Sequence, residues 1–188
     1  MGRTGSGWAL WITGLPGSGK STIARLLAKR LAEMAIPTQT LSSDMLRKSL
    51  TPKPRYTEKE RNMVYSVLVL IAKLLTQNGV NVIIDATGNR RRYRDKARRE
   101  IDNFLEAYLR CPLEICIERE RRRKRRLGAP KGIYQKGFDR RSRTVPGLGV
   151  PYEEPLNPEV IVDTDKLSRE DASARILATL STKFRLLE

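Results

Sequence analysis

The stretch Trp8-Ala-Leu-Trp-Ile-Thr13-Gly14-Leu15-Pro16-Gly17-Ser18-Gly19-Lys20-Ser21-Thr22 carries the reading of the whole chain. Its apolar first half has the length and composition of a strand. Beyond it, Ile23, Leu26, Leu27, Ala28 and Leu31 recur at helical spacing. Between them lies a complete G-x-x-x-x-G-K-[ST] pattern, in the strand, loop and helix setting that its chemistry requires. Glycines there let backbone N–H groups converge on phosphate oxygens at a helix N-terminus. Lys20 can bridge β- and γ-phosphates, and Ser21 can offer its hydroxyl to Mg²⁺. The residues from Gly14 to Thr22 are therefore candidate ATP ligands, with ATP and Mg²⁺ as the implied cofactors.

Working outward, residues 38–42 read as a second strand, followed by short helical turns from Asp44. Pro52 and Pro54 break the chain before Tyr56, and Thr57 with Glu60 has the spacing of a capping box that opens a long helix towards Gln77. Asn78-Gly79 ends that helix. Residues 80–84, β-branched and apolar apart from Asn81, read as a strand buried on both faces. A helix from about Arg91, a strand near 104–109, a helix from Pro112, a Gly/Pro-rich stretch, a strand at 160–162 and a last helix complete the pattern. Alternating β and α elements predict an α/β fold of the P-loop NTPase kind: three layers, α/β/α, around a central parallel sheet. Residues 1–188 read as a single domain, with a basic lid at about 119–157.

The chain has 188 residues, 39% of them apolar, enough for one buried core. It has neither a membrane-length apolar run nor the order of a signal peptide, so a soluble, cytoplasmic protein with no membrane partner is expected. Cys111 and Cys116 match no zinc spacing and read as reduced packing residues. With no histidine, an imidazole base is excluded. A net charge of +16 predicts a surface that attracts polyanions, phosphorylated metabolites and nucleic acid alike.

After the second strand comes Ser42-Ser43-Asp44-Met45-Leu46-Arg47, which puts a carboxylate and a guanidinium at the sheet's carboxyl edge, where open α/β sites lie. Asp44 is the candidate to accept the proton of an attacking hydroxyl, and Arg47 to pair with a substrate phosphate or sulfate. The alternative makes Asp44 a helix N-cap and Arg47 a solvated cation. Asp85 ends the third strand, where a carboxylate can reach Mg²⁺ directly or through water. Arg91 and Arg94 follow at the same edge as candidate substrate ligands. The run from Arg119 to Arg126 holds seven cations in eight residues, and one or two could neutralise a transferring phosphoryl group. Asp85-Ala-Thr-Gly88 has D-x-x-G spacing, yet no N-K-x-D motif accompanies it, which argues against a GTPase switch.

These residues together resemble the adenylylsulfate kinase family, in which ATP phosphorylates the 3′-hydroxyl of adenosine 5′-phosphosulfate, an anionic nucleotide. Besides the loop, the resemblance rests on Cys111-Pro-Leu-Glu-Ile-Cys116, Lys131-Gly-Ile-Tyr134-Gln-Lys136, Pro151-Tyr-Glu-Glu-Pro-Leu-Asn-Pro-Glu159 and Val162-Asp-Thr164. It implies that Asp44 matches the second aspartate of the family's D-G-D-N segment and Arg47 its substrate-binding arginine. Arg61 matches a second one. Arg119 and Thr164 would contact ATP, and Lys131 and Leu148 the acceptor. The chain departs from the pattern at Ser42 and Met45 and lacks the N-x-x-R half of the next motif. Its central segments also resemble the polynucleotide 5′-hydroxyl kinase and zeta-toxin-like group, which keeps a nucleic-acid acceptor as an alternative. A non-catalytic nucleic-acid-binding module is a third. Related kinases pair through surface helices, which implies a homodimer.

Overall fold

The computed structural model describes residues 5–123, 132–139 and 142–186. Its sheet is built from β1 (Ala9–Gly14), β2 (Thr38–Ser42), β3 (Asn81–Asp85), β4 (Phe104–Arg110) and β5 (Val160–Asp163). All the pairings are parallel, in the order β2-β3-β1-β4-β5. The helices are α1 (Lys20–Glu33), α2 (Ser43–Leu50), α3 (Glu58–Gln77), α4 (Arg91–Glu100), α5 (Leu113–Arg122), α6 (Ile133–Phe138) and α7 (Arg169–Phe184).

Strand side chains alternate between faces, so a central strand must be apolar at every position. β1 is apolar from Ala9 to Ile12: Leu10 and Ile12 join a core with Ile23, Leu27 and Leu31 of α1 and Ile176 and Leu180 of α7. Ala9 and Trp11 join a second core on the other face with Leu68, Val69 and Ala72 of α3 and Ala97 of α4. These are the outer layers expected from the sequence. No helix among the described residues is long and apolar enough to cross a membrane.

Two local details differ from expectation. Thr57 Oγ1 does accept from Glu60 N–H at 3.2 Å, but the Glu60 carboxylate turns away from the cap and accepts from Arg55 N–H at 2.9 and 3.2 Å. Only half of the capping box forms. The Gly/Pro-rich stretch also contains a helix that its composition hides: α6 starts after Gly132 in the left-handed region, at φ 60°. Its Tyr134 is buried with Cys111, Cys116 and Val145. Both cysteines are free and buried, as expected of packing residues.

Candidate active site

In a parallel sheet every strand ends at the same edge, and neighbours in the sheet bring distant sequence together there. The register sets Asp85 of β3 level with Ile12 of β1 and Ser42 of β2. The glycine-rich loop after β1, the start of α2 after β2 and the end of β3 therefore face one another. They line a cleft of about 820 Å³ with contributions from Arg61, Arg119, Thr144 and Thr164.

The loop is shaped by close contacts that exclude side chains. A Cβ on Gly17, at φ 87°, would lie 2.3 Å from the Cys116 carbonyl oxygen. Tyr134 Oη of α6 donates to the Pro16 carbonyl at 2.8 Å, fixing the loop from its other side. Lys20 Nζ donates to the carbonyls of Gly14 at 3.0 Å and Leu15 at 2.9 Å. Burial lowers its pKa, opposed by the charges of Asp85 and Asp44. Burial raises the Asp85 pKa against the pull of Lys20 and a hydrogen bond with the Ser21 side chain. Burial, reinforced by repulsion from Asp85, likewise raises that of Asp44, while Lys20 and Arg47 oppose the rise. One ammonium is thus held among two carboxylates at the edge of the sheet.

The N-cap of α2 is Ser42, whose Oγ accepts from Asp44 N–H at 3.3 Å. Asp44 is therefore not the cap, and its carboxylate faces the cleft. Arg47, one turn along α2, is not solvated either: it is 5% exposed. Its guanidinium lies 4.9 Å from the centroid of the Tyr56 ring, and its Nη1 has no hydrogen-bond partner among the described residues. Arg61 is buried beside it, donating from Nε to Tyr56 O at 3.2 Å, from Nη1 to Asn89 Oδ1 at 3.2 Å and from Nη2 to Thr144 O at 2.5 Å. Tyr56 sits between the two cations with φ 57°, a backbone conformation that costs a non-glycine residue about 1–2 kcal/mol. The bond from Arg61 holds it there.

At the other end of the cleft, Arg119 Nη1 donates to Thr164 Oγ1 at 3.2 Å and its Nη2 to Thr164 O at 2.6 Å, so these two expected ATP residues come together. Gly19, Ser21 and Thr22 also line the cleft, while Ser18 is fully buried beneath it.

Three expected substrate ligands do not line the cleft, and these readings are corrected. Arg94 is 1% exposed and held inside: Nε donates to Glu106 Oε1 at 2.6 Å, Nη2 to Glu153 O at 2.5 Å and Nη1 to Gly88 O. Arg91 turns to the 151–159 segment, its N–H donating to Glu153 Oε2 at 2.8 Å. Leu148 packs on Gly137 and is 39% exposed. Lys131 and part of the arginine run lie outside the described residues. The expected lid is not one unit, because its C-terminal part is strapped down: Glu153 N–H donates to Asn89 O at 2.8 Å, and Tyr152 Oη lies 2.9 Å from Thr13 Oγ1. Sequence reasoning missed Tyr56, Tyr65, Asn89 and Thr144. For Tyr56, the available signal was an aromatic residue between two candidate cations.

A phosphate-binding loop, a buried lysine, two cleft carboxylates and a cationic wall opposite define an ATP-dependent P-loop kinase. A model of the adenylylsulphate kinase family matches residues 6–163, and the chain belongs to that family. It is 40% identical over 162 residues to the probable adenylyl-sulfate kinase of Archaeoglobus fulgidus, covering 86% of this chain and 99% of the relative. The probable adenylyl-sulfate kinase of Pyrococcus abyssi is 37% identical, with 91% and 93% covered. Among solved structures, the Mycobacterium tuberculosis APS kinase CysC, in complex with AMPPNP and APS, superposes with a TM-score of 0.83 at 28% identity, covering 94% of this chain and 99% of that one. A gluconokinase from Sinorhizobium meliloti, at 20% identity and a TM-score of 0.64, shares the fold.

Proposed function

We propose that this chain transfers the γ-phosphate of ATP to the 3′-hydroxyl of adenosine 5′-phosphosulfate, with Mg²⁺ as its metal cofactor. The observation that carries this reading is the buried guanidinium of Arg47 in the cleft wall, whose Nη1 has no hydrogen-bond partner among the described residues. A buried donor left unpaired costs about 1–3 kcal/mol, and a phosphosulfate oxygen offers the missing acceptor. Arg61 supplies a second positive charge to the same wall.

Asp44 then receives the proton of the attacking hydroxyl, and its raised pKa makes it a stronger base than an ordinary carboxylate. Lys20 and the loop N–H groups hold the phosphates in line with that hydroxyl. Ser21 and Asp85 fit Mg²⁺, because both line the cleft beside Lys20, and a hydroxyl and a carboxylate present the oxygen donors that this ion takes. When bound, Mg²⁺ neutralises charge on the β- and γ-phosphate oxygens. The nucleic-acid partner expected from the net charge gains no support from the relatives, and arginines of α4 that contribute to it are paired with carboxylates.

Transfer from γ-labelled ATP to adenosine phosphosulfate, run beside a 5′-hydroxyl oligoribonucleotide, tests the reading. Label on the sulfate nucleotide is expected, and label confined to the oligonucleotide contradicts it. Asp44→Asn should lower kcat by about 10²–10⁴-fold while the KM for ATP stays within a factor of two.

A further inference from the structure

Tyr65 stands in the acceptor wall and belongs to no motif that the sequence reading used. It lines the cleft, yet is only 3% exposed. Its ring is fixed on two sides, stacked on Tyr93 at 4.4 Å between centroids and tilted against Trp11 at 6.2 Å. Its hydroxyl accepts from Gly88 N–H at 3.0 Å. A phenol has one proton to donate in addition to the lone pairs with which it accepts. Among the described residues no acceptor for that proton is found. The nearby charges are mostly positive: Arg47 and Arg61 act on the phenol most strongly, with Asp44 a lesser influence of opposite sign. A phenolic donor with its accepting side already bonded, beside two buried guanidiniums, is an arrangement that suits an oxyanion.

We propose that the Tyr65 hydroxyl donates a hydrogen bond to the anionic end of the acceptor, making Tyr65 a third member of the acceptor-binding set with Arg47 and Arg61. This rests on the reading of the cleft as an adenosine phosphosulfate kinase. Gly88 N–H orients the phenol, and the Tyr93 and Trp11 rings keep it from rotating away. The acceptor's charged end thereby meets a neutral donor in addition to two cations.

The test is the steady-state kinetics of Tyr65→Phe, with each substrate varied in turn. The KM for adenosine phosphosulfate should rise about tenfold or more, as expected for loss of a hydrogen bond to a charged group, with the KM for ATP unchanged. A purely structural role, satisfying Gly88 N–H, would instead lower the Tm and leave both KM values alone, and that result overturns the inference. Site-specific replacement of Tyr65 by 3,5-difluorotyrosine keeps the ring and its size while making the phenol more acidic, and it decides the matter if Tyr65→Phe fails to fold. The KM for the acceptor should then climb with rising pH earlier than in the unsubstituted enzyme, because a phenolate still accepts from Gly88 but cannot donate. Coincident pH profiles would overturn the proposal. If the unsubstituted enzyme does not use adenosine phosphosulfate at all, the functional reading fails; if it does and Tyr65→Phe binds it equally well, only this inference fails.

Discussion

Arg47 on α2 and Arg94 on α4 are buried to similar degrees, 5% and 1% exposed, and both follow a strand that ends at the same edge of the sheet. Around Arg94 the fold supplies the Glu106 carboxylate and the carbonyls of Gly88 and Glu153, which engage all three of its nitrogens. Around Arg47 it supplies an aromatic ring and, among the described residues, no partner for Nη1. The neighbouring arginines follow Arg94: Arg90, at the N-cap of α4, pairs with Glu153, and Arg98 of α4 with Glu159 and Glu106. On the function proposed above, a buried arginine that the fold has satisfied is structure, and one that it leaves short of an acceptor among the described residues is a binding group for the acceptor's anion.

The largest effect that could break this comparison is on stability. Arg94→Met takes from Glu106, 5% exposed in its side chain, its closer and buried counter-ion, leaving only Arg98 at 3.4 Å, and should destabilise the protein by about 3–5 kcal/mol in urea unfolding. Adding Glu106→Leu should recover much of the loss, since the pair as a unit is worth far less than either half alone. No recovery would mean that the hydrogen bonds to Gly88 and Glu153 matter more than the ion pair.

A second effect sharpens the contrast through pH. As the proposed base, Asp44 acts in its charged form, and burial with repulsion from Asp85 raises its pKa. The acid limb of kcat/KM should therefore lie above the ordinary carboxylate range, with activity falling as pH drops through it. For stability the sign is the reverse: a raised group favours folding at low pH and loses that contribution as pH rises through the raised value. An acid limb near pH 4 would contradict the account.

Glu159, at the end of the 151–159 strap, gives a smaller effect of opposite sense. Burial pushes its carboxyl up, but hydrogen bonds from Arg98, Lys183 and Glu106 N–H hold it at about 2. A depressed carboxyl stabilises above its unfolded value and loses that stabilisation as pH falls towards the folded one. Glu159→Gln should cost about 1–2 kcal/mol at neutral pH, allowing for solvent screening. The difference from the parent should close between pH 4.5 and about 2.

The contrast also explains what could be read in advance. The strands, the phosphate loop and the positions of Asp44 and Asp85 were legible, because periodicity and a fixed-spacing motif depend on neighbours in sequence. The roles of Arg91 and Arg94 were not, because their partners Glu106 and Glu153 arrive from β4 and the strap, 12 and 62 residues away. An arginine looks the same in sequence whether or not a carboxylate awaits it. The same limit hid Tyr65, whose partner Gly88 is 23 residues off. Segment 151–159, one of those on which the family resemblance rests, lies largely outside the cleft, where it ties α4 to β1 and β4. A family signature can therefore mark the scaffold of a site as readily as its chemistry.

The most direct test measures two quantities on the same preparations of Arg47→Met and Arg94→Met: the KM for adenosine phosphosulfate and the urea midpoint of unfolding. Arg47→Met should raise the KM by about 100-fold with its midpoint kept or increased, while Arg94→Met should lose stability and, under conditions where it is folded, keep its KM within a few-fold. Equal effects of the two substitutions on both quantities, or the reverse pattern, would contradict the division between binding and structural arginines.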